Sequence, residues 1–174
     1  MEYVAFLLGI NVGRRIVKMA ELKAMLENIG YTDVRTVLAS GNAIFTTKQT
    51  KPEALVKTLE AALRTTFGFE IGVIVRTMDE LRAMQKAHPF TGVKVTPQTR
   101  RYVTFLSERP VVVEKPRQVS AQYAIRQVSP LEVYSVLELD PTMQTPDVMK
   151  LLGKSFGKKI TTRNWNTIKK IVGE

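Results

Sequence analysis

The chain has 174 residues, no cysteine, one histidine and a formal net charge of +10 at pH 7. The lack of cysteine excludes disulfides, thiolate nucleophiles and metal sites built from sulfur. No stretch of about eighteen apolar residues exists, which excludes a membrane-spanning helix. We therefore expect a cytoplasmic protein with no membrane partner, large enough to fold as one domain or two small joined halves.

The first half of the chain predicts the order strand, helix, strand, strand, helix, strand. The expected elements are a strand over 3–10, a helix over 19–29, two strands on either side of a turn at 40–42, a helix that Pro52 opens and a strand over 71–76. Apolar periodicity defines the helices, whereas glycine, asparagine and proline mark the turns and helix starts. This order is that of a ferredoxin-like unit.

The second half predicts a restart of the same pattern. The expected elements are a short helix over 78–87, a proline-containing connector, a strand over 101–106, two strands on either side of Ser129 and Pro130, a helix that Pro146 opens and a last helix over 163–172. The stretch 109–122 is ambiguous. We therefore predict an α+β fold with two ferredoxin-like (βαββαβ) halves, 1–77 and 100–174, joined by a short helix and connector over 78–99.

Several segments together resemble a family of bacterial proteins, the domain-of-unknown-function family 1697. These segments are LLGINVG at 7–13, MAELK at 19–23, YTDVRT and SGN between 31 and 42, FGFEIGVIVRT at 67–77, HPF at 88–90 and TTRNWNT at 161–167. The resemblance implies two intertwined ferredoxin-like subdomains with antiparallel sheets. It implies no reaction, because the role of the family is not established.

The chain departs from the pattern of this family at two loop positions and at one histidine. Members usually place an arginine before the Gly-Ile-Asn-Val-Gly run and a glycine after it, where this chain has Leu8 and Arg14. If the family's arginine handles a ligand in its relatives, this protein has either lost that function or moved the positive charge to Arg14. His88 stands where the family has asparagine.

The GINVG loop and the SGN turn contain candidate ligand contacts: Asn11, Gly13, Arg14, Ser40 and Asn42. Backbone donors beside Arg14 would suit a phosphate, but the spacing is not that of a P-loop, and a loop-shaping role for the glycines is favoured. Ser40 lacks the flanking glycines of a nucleophile elbow, which favours a hairpin turn.

His88 is the only histidine, so that acid–base chemistry near neutral pH would depend on it or on a perturbed carboxylate. A surface or capping role is favoured for this residue. We expect no metal site and no cofactor, because one histidine without cysteine leaves only carboxylates as ligands.

The segment TTRNWNTIKK holds the only tryptophan. With Thr162 as N-cap, a helix over 163–172 would place Trp165 in the core as an anchor rather than a stacking platform. Its outer face and start would gather cations and polar groups, which suit an anion because the helix dipole is positive there. The candidate anion-binding residues are Lys158, Lys159, Thr162, Arg163, Asn166 and Lys170. The competing interpretation is that salt screens these charges and Arg163 pairs with Asp140 or Asp147.

Three functional hypotheses follow from these features. The first is a binding protein that holds nucleic acid or another polyphosphate on a basic C-terminal surface. The second is an enzyme or sensor that holds a small phosphorylated ligand between the two halves, contacted by the GINVG, SGN and RNWN segments. The third is a structural or protein-interaction module.

Overall fold

The computed structural model describes residues 1–110 and 115–174. These fall into two compact units. The first comprises Met1–Ala83 with Lys170–Glu174, and the second comprises Met84–Lys169. Each unit contains one antiparallel sheet, which confirms the predicted α+β class.

The first unit has a four-stranded sheet with the strand order β2-β3-β1-β4. Its elements are β1 (Glu2–Leu7), α1 (Met19–Asn28), β2 (Thr32–Thr36), β3 (Asn42–Thr46), α2 (Pro52–Phe67), β4 (Val73–Thr77) and the start of α3 (Met78–Lys86). The chain order of the first six is the predicted one. Its core joins one face of β1 to the apolar stripes of both helices, through Tyr3, Ala5, Leu7, Leu22, Leu26, Leu55, Leu59 and Leu63.

Local sequence signals explain where the elements of the first unit begin and end. Pro52 occupies the first turn of α2, where its missing N–H costs no hydrogen bond. Gly68 ends the helix with φ 79°, and its N–H donates to the Arg64 carbonyl at 2.9 Å. This is the left-handed cap for which glycine carries no steric penalty.

The second unit has a five-stranded sheet with the strand order β6-β7-β8-β5-β9. Its elements are β5 (Thr99–Leu106), β6 (Arg117–Gln118), β7 (Tyr123–Val128), β8 (Glu132–Glu138), α4 (Val148–Phe156), β9 (Ile160–Asn164) and most of α5 (Trp165–Val172). The core beneath α4 brings together Leu106, Tyr123, Ile125, Val133, Leu137, Leu152 and Ile160.

This unit does not reproduce the predicted βαββαβ pattern in the part of the chain that the structure describes. Between β5 and β7 the described residues contain no helix, and a two-residue strand, β6, lies in the stretch 109–122, whose sequence is ambiguous. Part of that stretch, 111–114, is outside the described residues. The ferredoxin-like repeat is therefore not confirmed.

The predicted start of the last helix is wrong. Residues 160–164 form β9, which pairs antiparallel with β5, and the helix begins at Trp165. Asn164 rather than Thr162 caps it, because Asn164 Oδ1 accepts from the backbone N–H of Asn166 at 2.9 Å. The β-branched run from Ile160 to Thr162 favours the strand.

Candidate anion-binding site

Arg163, the centre of the predicted anion site, lies in β9 and is 6% exposed. Its Nη1 donates to Thr161 Oγ1 at 2.6 Å and to the Thr162 carbonyl at 3.0 Å. Burial lowers the pKa of Arg163 to about 10, because removal from water disfavours the charged form. The guanidinium is therefore a buried, hydrogen-bonded group of the second unit and not an exposed cation at a helix start.

The Thr162 hydroxyl also makes its contacts within the second unit. It lies 2.7 Å from Thr104 Oγ1 on the paired strand. The same hydroxyl lies 3.0 Å from the sulfur of Met149. These contacts tie β9 to β5 and to α4, so that Thr162 does not cap α5.

The remaining residues of the predicted site are exposed but do not gather at the start of α5. Lys158 and Lys159 precede β9 rather than the helix. Lys170 belongs to the first unit, and Thr167, expected on the outer face, is buried. Of the predicted anion-binding residues, only Asn166 is an exposed residue in the first turn of α5.

A pocket of about 250 Å³ nevertheless lies where β9 passes into α5. Its lining consists of Val95, Thr96, Thr99, Arg100, Arg101, Asn164 and Asn166. These residues include two cations and two amides but no carboxylate. We call this cavity the Arg100–Arg101 pocket.

The two arginines of the pocket have different supports. Arg100 Nη1 donates to the carbonyls of Pro97 at 2.8 Å and Thr99 at 3.1 Å. The Arg101 guanidinium carbon lies 5.8 Å from the ring centroid of Phe90, within cation–π range. Neither arginine has an ion-pair partner within 4.0 Å among the residues that the structure describes.

One carboxylate lies close behind the pocket. Glu138 Oε2 accepts from the Thr99 hydroxyl at 3.1 Å. Thr99 Oγ1 also lies 3.1 Å from Thr96 Oγ1, so both threonine hydroxyls are committed to a local network. Ligand donors are therefore expected from the arginines and asparagines, with Glu138 as a negative charge that partly offsets them.

An aromatic cluster supports the same region. Trp165 lies edge-to-face against Phe90 and Tyr134, with ring centroids 5.3 Å and 6.3 Å away. Trp165 is 5% exposed, which confirms that it is a packing anchor. The HPF and RNWN segments therefore meet in the second unit through Phe90 and Trp165.

In the first unit, the GINVG loop and the SGN turn also meet. Asn11 Nδ2 donates to the Ala39 carbonyl at 2.6 Å, and Asn11 Oδ1 accepts from Val17 N at 3.0 Å. Gly41 has φ 82°, and a Cβ at this position would lie 2.5 Å from Ile10 Cδ1. The two segments therefore pack closely, and the positive φ at position 41 favours glycine there.

The side chain of Asn42, a predicted loop contact, stabilises the turn. Its Nδ2 donates to the Val37 carbonyl at 2.7 Å and to Ser40 Oγ at 2.9 Å. Ser40 is exposed and accepts this bond. These contacts explain the conformation of the hairpin, whereas a catalytic role for Ser40 has no geometric support in them.

Arg14 and Arg15 differ in their surroundings. Arg15 Nε donates to the Gly9 carbonyl at 2.7 Å, and its Nη2 donates to the Glu70 carbonyl at 2.6 Å. Its guanidinium also lies 4.8 Å from the Phe69 ring centroid. Arg14 is exposed, as is Gly13 beside it, and has no ion pair or hydrogen bond within the described part of the chain. Arg15 therefore holds the loop in its conformation through these hydrogen bonds, whereas the Arg14 side chain is available to solvent.

No group of three or more His, Asp or Glu residues within 1–110 and 115–174 could hold a metal ion. His88 is exposed and has φ 47° in the loop after α3. Its backbone carbonyl accepts from the Thr91 hydroxyl at 2.9 Å. In the same described ranges, no helix is long and apolar enough to cross a bilayer.

The charge of the chain is divided unevenly between the units. Residues 84–169 contain fourteen Lys and Arg against six Asp and Glu, a net charge of +8, whereas the first unit contributes +2. The Arg100–Arg101 pocket belongs to the more basic unit. The charge of that unit and the residues of the pocket therefore both favour an anionic ligand over a cationic one.

The fold and pocket define an α+β protein of two antiparallel sheets with a candidate anion site in its second unit. The chain belongs to a family described as proteins of unknown function (DUF1697), whose model matches residues 1–134. The match includes the GINVG, SGN and HPF segments but ends before TTRNWNT. No curated protein matched the chain.

A solved structure of a conserved bacterial protein, SP0830 from Streptococcus pneumoniae, has a similar fold. The TM-score is 0.72 at 23% sequence identity, over 98% of this chain and 96% of that one. At this identity the likeness bears on the fold alone.

Sequence reasoning missed Arg100 and Arg101. Both lie at the start of a strand, with no motif around them, and reach Asn164 and Asn166 only through the pairing of β5 with β9. The signal that could have found them is the Arg-Arg pair at the start of an apolar strand. Without the position of β9, that pair had no visible partner.

Proposed function

We propose that the protein binds a phosphate-bearing polyanion, with single-stranded nucleic acid as the expected ligand, through the basic surface of its second unit. The observation that carries this proposal is the Arg100–Arg101 pocket, whose lining contains two arginines and two asparagines but no acid. Arginine forks match phosphate oxygens in geometry as well as in charge.

The contacts that hold the two arginine side chains favour ligand binding without a large rearrangement of these side chains. Two carbonyls already hold Arg100 through Nη1, while its Nε and Nη2 have no partner among the described residues. Arg101 lies over the Phe90 ring. Side chains that are held before binding lose less conformational entropy when the ligand arrives.

The size of the pocket favours a single strand or a small group over a duplex. A volume of about 250 Å³ admits a phosphate with part of its sugar, but not a double helix. This volume is also close to the lower end of small-ligand pockets, about 300 Å³. A small phosphorylated molecule is therefore the second candidate ligand.

Salt dependence of binding to a fluorescein-labelled 20-nucleotide oligothymidine tests the proposal. If about five phosphates are contacted, log K should fall against log salt with a slope of about −3.5. The affinity measured by fluorescence anisotropy should then drop on the order of 100-fold between about 50 and 200 mM NaCl. Affinity that does not change with salt would contradict binding through phosphates.

Three variants test whether the oligonucleotide binds at the Arg100–Arg101 pocket. The double variant Arg100→Ala/Arg101→Ala should weaken binding at least about tenfold and reduce the salt slope by about 1.4, because two phosphate contacts are lost. Glu138→Gln should strengthen binding, since it removes the negative charge behind Thr99. The control Lys48→Ala/Lys57→Ala removes two exposed cations of the first unit and should change affinity less than about twofold.

Circular dichroism and urea unfolding would establish that each variant is folded. Equal effects of the two double variants would show that total charge, and not the pocket, determines binding.

A further inference from the structure

We infer that the Arg100–Arg101 pocket is a site for a terminal phosphate monoester, the group at a phosphorylated oligonucleotide end or on a small phosphorylated molecule. This inference rests on the proposed function, because it assigns one group of the anionic ligand to the pocket. It adds a preference for phosphate ends over internal phosphodiesters.

The pairing of β5 and β9 explains why a pocket exists here. The last residue of β9, Asn164, pairs with Tyr102, and the chain then turns into α5. The preceding β5 residues, Arg100 and Arg101, have no strand neighbour on that side in the described structure. A gap is left between the start of β5 and the first turn of α5.

The donors around this gap come from two separate parts of the chain. Arg100 and Arg101 belong to β5, whereas Asn164 and Asn166 belong to the junction between β9 and α5. Asn164 uses its Oδ1 to cap α5, which leaves its Nδ2 as a donor. A group in the gap can therefore be approached by donors of both elements.

This donor set suits a monoester better than a diester. A phosphate monoester carries about −1.5 to −2 charges at pH 7 and three terminal oxygens, whereas an internal diester has one charge and two such oxygens. Arg100 and Arg101 are neighbours in β5 and extend from its opposite faces. At the edge of the strand that has no neighbour among the described residues, their two charges therefore balance that of the monoester from two sides, and the amides of Asn164 and Asn166 supply donors for a third oxygen. The positive end of α5 adds a smaller contribution of the same sign.

Two other pockets of the second unit are less suited to such a group. A pocket of about 290 Å³ includes Glu138 in its lining. Another, of about 380 Å³, includes Asp147. A carboxylate at the pocket wall repels a dianion, and only the Arg100–Arg101 pocket among these three has none.

Four oligonucleotide probes test the inference. These are labelled ten-nucleotide oligothymidines that end in a 5′-phosphate, a 5′-phosphate methyl ester, a 5′-hydroxyl or a 5′-sulfate. The 5′-phosphate probe should bind wild-type protein at least about tenfold more tightly than the methyl ester and the hydroxyl in 150 mM NaCl. The sulfate has three terminal oxygens but one charge. Its probe should bind less tightly than the 5′-phosphate probe and more tightly than the methyl ester and hydroxyl probes.

The variants should remove this preference and not merely reduce affinity. In Arg100→Ala/Arg101→Ala, the four probes should bind equally. Arg101→Lys keeps the charge but loses the fork, so it should retain only part of the preference. The control Lys48→Ala/Lys57→Ala should retain all of it.

The outcomes separate this inference from the proposed function. Salt-dependent binding of all four probes with equal affinity would overturn the monoester site while the polyanion proposal stands. Thermal stabilisation of the wild type, but not of the double arginine variant, by thymidine 5′-monophosphate or glucose 6-phosphate would support the site even if no oligonucleotide binds. Absence of binding by all four oligonucleotides, together with no thermal stabilisation by either small phosphate, would overturn both.

Discussion

The exposure of the Arg163 side chain depends on whether the residue lies in a helix or in a strand. In a helix start it would be an exposed cation, but in β9 it lies opposite Val103, on the sheet face that also carries Tyr134. Alternation in a strand sends neighbouring side chains to opposite faces, so a shift from helix to strand buries Arg163. A charge reversal at this position would test folding rather than ligand binding.

Tyr123 provides a prediction at the same scale. Its hydroxyl and that of Ser135 are buried, and neither has a hydrogen-bond partner within the described residues. Burial raises the pKa of Tyr123 to about 12, although interaction with Ser135 offsets part of the rise. The two hydroxyls are thus near each other, but their geometry falls short of a hydrogen bond.

Replacement of Tyr123 by phenylalanine should therefore maintain or raise the free energy of unfolding at pH 7, by up to about 1 kcal/mol. In the wild type, the unfolded chain loses the tyrosine proton near pH 10.0 and the folded chain near 12. The titration of Tyr123 therefore leaves the free energy of unfolding unchanged below pH 10 and lowers it as pH rises from 10 towards 12. In the Tyr123→Phe variant, the free energy of unfolding should not fall for this reason between pH 10 and 12.

Urea unfolding followed by Trp165 fluorescence at pH 7, 10 and 11 measures both effects. A decrease of more than about 1 kcal/mol at pH 7 would show that the hydroxyl makes a stabilising interaction.

At the scale of elements, the sequence predicted most helices and strands because their ends carry strong local signals. Pro52 and Gly68 bound α2, and the turn at 37–41 separates β2 from β3. β9 has no comparable signal: Asn164 ends the strand and also caps the helix, with no glycine or proline between the two elements. A strand that passes directly into a helix is therefore easily mistaken for the first turn of that helix.

Asp147 supports a second prediction at this scale. It is the N-cap of α4, where Oδ1 accepts from the Lys150 backbone N–H at 3.0 Å. Asp147→Ala should lower the free energy of unfolding by about 1 kcal/mol, because the N–H loses its acceptor. Asp147→Asn, which keeps an acceptor at the cap, should recover most of that loss.

Chemical denaturation of both variants at pH 7 measures the difference. An equal loss in Asn and Ala would indicate that the charge of Asp147, and not its cap bond, stabilises α4.

At the scale of the whole molecule, the sequence leads to the hypothesis of an anion site around RNWN, but the structure does not bring most of the residues of that hypothesis together at the start of α5. Lys158, Lys159 and Arg163 are close in sequence and would crowd the start of a helix over 163–172, but residues 160–164 form β9. The pocket instead joins Arg100 and Arg101 to Asn164 and Asn166, residues far apart in the chain that only the register of β5 and β9 brings together. Long-range strand pairing is information that local patterns do not contain.

The uneven charge of the two units leads to a prediction that separates local from total charge. One quadruple variant replaces exposed second-unit cations by alanine at Lys94, Arg126, Lys154 and Lys158. Its counterpart replaces exposed first-unit cations at Arg14, Lys48, Lys51 and Lys57. Each set removes four cations, so the formal net charge falls from +10 to +6 in both.

The second-unit variant should elute from a heparin column at clearly lower salt than its counterpart, because screening over about 8 Å at physiological ionic strength makes a polyanion respond to nearby charges. Binding of the 20-nucleotide oligothymidine should follow the same order. Elution of both variants at the same salt concentration would mean that the polyanion responds to total charge, and the second unit would then have no special role in binding.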